Sequence, residues 1–236
     1  MAIKYVLFDL DGTLLPMDDR FQKAYFGGLC KRLAPYGYEP QQMIAAIWEG
    51  VRGMVKNDGS RLNVEVFWEA FARVIGRDAK CDEPVFEAYY AEDFDAVAST
   101  CGCDPRARQI LDLLHAKQIP AVLATNPIFP TVATQKRMAW AGLTPEDFLF
   151  YTTFDNFGYC KPNLGYYRAI LEKLGASAHE CLMVGNDVGE DMIAAQLGMQ
   201  VFLLTDCMIN SKGADITVYP HGSWDALIAH LTDLLA

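Results

Sequence analysis

From Asp104-Pro105 onward the chain alternates between helical and extended patterns, and this alternation restricts the fold more than any other feature. Arg106 to Gln118 has the apolar spacing of a helix, Ile119 to Ala124 that of a strand, Thr131 to Ala141 that of a helix ended by Gly142, and Leu149 to Thr153 that of a short strand. A helix over Asn163 to Leu174 closes at Gly175, and Ser177 with Glu180 offers a capping box for one further turn. The spacing then predicts a strand at Cys181 to Val184, a helix from Gly189 to Leu197 stopped by Gly198, a strand at Gln200 to Leu204 and an edge strand at Ile216 to Tyr219. Strands separated by helices pair in parallel and are covered on both faces. The expected fold class is therefore α/β, a Rossmann-like parallel sheet core flanked by helices.

One strand lies far upstream. Ile3 to Phe8 is a short apolar run ended by Asp9, Asp11 and Gly12, whereas Phe21 to Ala98 contains four helical periods and no convincing strand. Met43, Ile44, Ile47, Trp48, Val51, Met54 and Val55 recur at helical spacing, as do Val64, Phe67, Trp68, Phe71 and Ile75. Asn63 is a candidate cap for the second of these, and Pro84 suits the first turn of a helix running on through Phe86, Tyr89, Tyr90 and Phe94. The expected organisation is a core domain of residues 1–17 and 99–236 with an all-helical insertion at 18–98. Four aromatics of this insertion, Trp48, Phe67, Trp68 and Phe71, are expected chiefly to pack the helices, with one available to a substrate pocket.

In open parallel sheets ligands bind beyond the carboxyl ends of the strands. Asp9, Asp11, Gly12 and Thr13 follow the first strand, and Thr125 with Asn126 follows the second. Lys161 follows the third, and Asn186, Asp187 and Asp191 follow the fourth. Carboxylates left in a closed core are costly without a partner, a cation or solvent. Gathered at one mouth, these groups suit phosphoryl transfer through a carboxylate. An attacking carboxylate and a phosphate repel by about 4 kcal/mol per unit-charge pair at about 4 Å for an effective dielectric near 20, which slows attack by about three orders of magnitude. A hard cation such as Mg²⁺, held by Asp9, Asp187 and a backbone carbonyl, would offset that repulsion, and Lys161 adds a second positive charge. The Thr125 hydroxyl and the amide of Asn126 can donate to phosphoryl oxygens. Asp11, two residues past Asp9, suits protonation of the leaving oxygen and later removal of a proton from water.

These four pieces, FDLDGT, Thr125-Asn126, Lys161-Pro162 and GNDVGED, resemble in order the four motifs of the haloacid dehalogenase-like (HAD) hydrolase superfamily, with a helical cap inserted after the first core strand. The resemblance implies Asp9 as nucleophile, Asp11 as acid and base, Thr125 and Lys161 as phosphate binders, and Asp187 as a Mg²⁺ ligand beside Asp9 and the Asp11 carbonyl. Asp191 resembles the supporting second acid of the last motif, with Thr13 and Asn186 in supporting places. Asn186 stands where several relatives carry another acid. The function so implied is a Mg²⁺-dependent phosphatase acting on a small phosphorylated metabolite through an aspartyl-phosphate on Asp9.

Other readings meet specific obstacles. A calcium loop beginning at Asp9 would want Glu at its twelfth position, which is Arg20. A sugar phosphomutase of this family uses a cap histidine, and no histidine occurs between Asp11 and Pro105. A dehalogenase relative lacks the acid at the place of Asp11. A non-enzymatic phospho-aspartate switch of the receiver type carries no cap. A formal charge of −10, from 20 basic and 30 acidic residues, argues against a nucleic-acid partner. No apolar stretch approaches a membrane span. Seven scattered cysteines with no leader pattern before Ile3 suggest the reducing cytoplasm, and Cys101-Gly-Cys103 lacks the further ligands of a zinc site.

Overall fold

A computed structural model describes residues 2–235. Five parallel strands form one sheet in the order β2-β1-β3-β4-β5. They are β1 (Tyr5–Phe8), β2 (Ala121–Leu123), β3 (Cys181–Gly185), β4 (Gln200–Leu204) and β5 (His221–Gly222). The register places Val6 opposite Ala121 on one side and Leu182 on the other, so β1 is a central strand.

Alternate residues of these strands enter two separate cores. Val6, Phe8, Leu123, Leu182, Val184, Phe202 and Leu204 pack on one face against helices α5 (Pro105–Ala116) and α8 (Trp224–Leu234). Leu7, Val122, Met183, Val201 and Leu203 pack on the other against α7 (Leu164–Leu174). Helix α6 (Thr131–Trp140) adds Met138 to the first core. Burial on both faces explains why β1 to β4 read as largely continuous apolar runs, each fully buried side chain contributing about 1.5–3 kcal/mol.

Between β1 and α5 every regular element is helical: α1 (Arg20–Leu33), α2 (Pro40–Val55), α3 (Asn63–Ile75) and α4 (Glu83–Ala88), with short tighter or wider turns between them. Their apolar faces form a third core rich in rings, including Phe21, Tyr25, Phe67, Phe71, Phe86 and Tyr89. The two chain crossings between this block and the sheet are tied together, with Gly102 N–H donating to Pro16 O at 2.8 Å.

Several expectations are corrected. Residues 149–153 do not form a full strand. They lie beside β2 through Leu149 N–H to Ala121 O and one isolated parallel bridge between Leu123 and Tyr151. The helix expected from Gly189 is a 3-10 segment over Met192–Leu197, because the Asp187 carboxylate and carbonyl fold the preceding residues into a turn. The edge strand is His221–Gly222 rather than Ile216–Tyr219, where Tyr219 N–H closes a turn on Ile216 O. Asn63 does not cap α3. Its side chain is fully buried and donates to Pro127 O at 3.2 Å, pinning the helical block to the loop after β2. The helix predicted through Phe94 ends at Ala88 and continues as a π turn (Tyr89–Asp93) and a 3-10 run (Phe94–Thr100).

Candidate active site

The carboxyl ends of β1, β2 and β3 and the loop before α7 deliver their side chains to one place. Asp9 follows β1, its N–H held by Val184 O at 2.9 Å. The turn after it needs Gly12, whose φ is +82° and where a Cβ would collide with the Asn186 amide. That close approach lets Asn186 receive the Thr13 hydroxyl at 3.0 Å while its own amide donates to Cys207 O at 2.7 Å. Asn186 and Thr13 thus tie the β1 loop to the β3 loop.

Lys161 is fully buried. Its Nζ lies 2.9 Å from Asp9 Oδ1 and 2.6 Å from Asp191 Oδ1. Burial acts to lower the ammonium's pKa, but the Asp191 and Asp9 carboxylates outweigh it and hold the group well above the ordinary lysine value. Asp191 also accepts from Asp187 N–H at 3.0 Å, and a side chain at Gly185 would collide with it. Asp191 therefore orients both the lysine and the Asp187 backbone. The Asp187 carboxylate accepts from Gly189 N–H at 2.7 Å and Glu190 N–H at 3.0 Å, closing the turn that presents it. Lys161 arrives from a loop following an extended segment rather than from a third sheet strand.

Thr125 is buried at the end of β2, its carbonyl fixed by Thr152 Oγ1 at 2.6 Å and Tyr166 OH at 3.0 Å. Asn126 departs from expectation. Its side-chain amide is committed to Glu190 at 2.9 Å and its Oδ1 accepts Lys161 N–H at 3.2 Å, so it braces neighbouring loops instead of standing open to a phosphoryl group.

Asp11 turns from this cluster toward α6, where it pairs with Arg137. Arg137 is fully buried, stacked 4.3 Å over the Phe129 ring and bonded to Ala133 O and Thr134 Oγ1. Burial raises the Asp11 pKa, while Arg137 opposes that rise. Asp11 Oδ1 has no hydrogen-bond partner. Sequence reasoning missed both Arg137 and Glu190. A lone arginine on the helical face shared with Ala133 and Met138 was the available signal for the first. For the second it was an acid three residues past Asp187, and burial pushes this carboxyl up to about 7.

Three carboxyl groups pair with two cations, Asp9 and Asp191 with Lys161 and Asp11 with Arg137, while Asp187 and Glu190 lie on the adjoining turn, bonded to backbone N–H groups and to Asn126, respectively. This surplus of hard oxygen donors fits a divalent cation. Among the described residues no three His, Cys, Asp or Glu side chains converge to hold a metal ion unaided, so backbone or substrate oxygens would have to complete its shell. Beside Asp11 a cavity of about 270 Å³ opens into the helical block, lined by Asp11, Met17, Gln22, Trp48, Phe129 and other chiefly aromatic residues. None of the four histidines lines this cavity.

The family model of "haloacid dehalogenase-like hydrolase" matches residues 3–198. A phosphoglycolate phosphatase of Yersinia pestis is 28% identical over 239 residues, covering 99% of this chain and 92% of the relative. One from Rhodospirillum rubrum is 29% identical over 209 residues, covering 86% and 79%. Among solved structures, a HAD phosphatase from Thermococcus onnurineus superposes with a TM-score of 0.62 at 19% identity, with 98% of each chain covered. A 2-haloacid dehalogenase from Pseudomonas syringae gives 0.63 at 18%, covering 98% of this chain and 99% of that one, a likeness of fold alone.

Proposed function

The chain belongs to the haloacid dehalogenase-like hydrolase family, and from that premise we propose that it is a Mg²⁺-dependent phosphatase of small phosphorylated metabolites working through an aspartyl-phosphate on Asp9. Curated relatives aligned along nearly the whole chain are phosphatases, which supports the reaction class. The observation that carries the mechanism is the Lys161 ammonium 2.9 Å from Asp9 Oδ1, itself anchored by Asp191. That charge lies where an attacking oxygen and an incoming phosphate would otherwise repel.

In the first half-reaction an Asp9 oxygen forms a bond to phosphorus as the bond from phosphorus to the leaving oxygen breaks, and Asp11 gives its proton to that oxygen. In the second, Asp11 takes a proton from water as the water oxygen attacks phosphorus, and the Asp9 carboxylate departs with inorganic phosphate released. Lys161 and the Thr125 hydroxyl stabilise the phosphoryl oxygens. The carboxylates of Asp9 and Asp187 with the Asp11 carbonyl would hold Mg²⁺, which when bound neutralises charge on the transferring group. Asp191, Asn186, Thr13 and Asn126 keep the loops in place. Residues 18–98 serve as a cap over the core of 1–17 and 99–236, with the paired linkers near Pro16 and Gly102 as its hinge. Seven unpaired cysteines support a cytoplasmic setting, and no helix among the described residues is long and apolar enough to cross a membrane.

Release of phosphate from para-nitrophenyl phosphate tests this reading. Turnover should require Mg²⁺, stop with a chelator and vanish in Asp9→Asn. Activity retained by Asp9→Asn removes Asp9 from the role of nucleophile.

A further inference from the structure

The cavity beside Asp11 narrows the substrate class. Ten of its sixteen lining residues are aromatic, and most of the rest are apolar. Its one charged lining group is Asp11, and no Lys, Arg or His contributes to the wall. The polar atoms of its rings are largely spent on the protein itself: Tyr25 and Tyr90 share a hydrogen bond at 2.8 Å, and Trp68 Nε1 donates to Glu83 at 3.0 Å.

Basic residues of the helical block face elsewhere. Arg52, Lys56 and Arg61 line a separate outer groove, where Arg52 pairs with Glu49 and Arg61 with Glu69. Lys31 and Arg32 line another, with Arg32 bound to Glu92. A leaving group bearing a carboxylate or a second phosphate would enter the cavity without a counter-charge and would face the Asp11 carboxyl.

Resting on the phosphatase reading above, we propose that the substrate is a phosphate monoester whose organic part is an uncharged, ring-bearing apolar group lodged among Phe26, Trp48, Phe67 and Phe129, with the phosphate directed to Asp9. The volume agrees, since an apolar cavity of about 150 Å³ accepts benzene and this one measures about 270 Å³. One or two rings fit, and edge and face contacts with the wall select them over small acids. Phosphoglycolate, the substrate named for the curated relatives, carries a carboxylate and lacks apolar bulk.

Two measurements on the full chain with Mg²⁺ decide the matter. Benzyl phosphate and 2-phosphoglycolate both release primary alcohols, so their kcat/KM ratio reports the cavity rather than leaving-group chemistry. We expect benzyl phosphate to be favoured by about a hundredfold. Calorimetric binding of the non-hydrolysable 2-phenylethylphosphonate should be about tenfold or more tighter than that of phosphonoacetate. The half-exposed Trp48 can be truncated without opening the buried core. Trp48→Ala should lower the benzyl to glycolate ratio about tenfold and weaken 2-phenylethylphosphonate. Equal or reversed preference in the ratio and in binding overturns the proposal. Acetyl phosphate, which needs no cavity, separates the two readings. If it is not hydrolysed the phosphatase reading falls, while phosphonate binding still decides the nature of the cavity.

Discussion

The mouth of the sheet and the cavity above it differ in how their residues are held. At the mouth, charged groups are tied at fixed distances, as in Lys161 between Asp9 and Asp191 or Asp187 on two backbone N–H groups. In the cavity, walls come from α1, α2, α3 and α4 and from loops of the core, and they touch chiefly through rings, such as Phe26 with Trp48 and Phe67 with Phe154. Directional bonds fix atoms within tenths of an ångström and suit chemistry, whereas non-directional packing sets shape and suits selection of a substrate. The two regions meet at Asp11, bonded to the core through Arg137 and exposed to the cavity.

Substitutions on either side of that boundary should give different signatures. Asp9→Asn should reduce turnover of para-nitrophenyl phosphate by about four orders of magnitude, read as released phosphate. Lys161→Met should lower kcat by about three orders and destabilise the protein by about 3–5 kcal/mol in denaturant unfolding, because Asp9 and Asp191 are left buried without their cation. Arg137→Met should reduce kcat by about ten- to a hundredfold, since Asp11 loses its orientation but keeps a partly open setting where it can protonate. Trp48→Ala should change selectivity by about tenfold, seen in the ratio of kcat/KM for benzyl phosphate and 2-phosphoglycolate. Arg52→Gln, on the outer groove, should alter neither kinetics nor melting temperature measurably. A large loss of kcat from Trp48→Ala together with a small one from Arg137→Met would reverse the comparison.

Legibility in the sequence followed the same division. Acids and a threonine stand just past strand ends within short stretches, so Asp9, Asp11, Thr125 and Asp187 could be gathered from order alone, and Lys161 reaches Asp9 from a loop rather than from a strand. The alternation of strand and helix gave a parallel sheet, but segments shaped by side-chain bonds escaped it. The Asp187 carboxylate converts the start of an expected helix into a turn, and Asn63 spends its amide on Pro127 O instead of on its own helix. Arg137 was invisible because its partner lies 126 positions away. Trp48 and Phe67 stood at helical spacing that suits core packing equally well. Which rings border a cavity depends on how four helices cross, and a single chain's periodicity does not encode that.

The central claim is that an Asp9 oxygen, beside the Lys161 ammonium, attacks phosphorus. Rapid acid quenching of the Mg²⁺-loaded enzyme during turnover of phosphorus-labelled para-nitrophenyl phosphate, followed by peptide mapping, tests it most directly. The account predicts label that appears and decays on the peptide containing Asp9 and is absent from Asp9→Asn. Full turnover with that peptide unlabelled, or label on another residue, would contradict it.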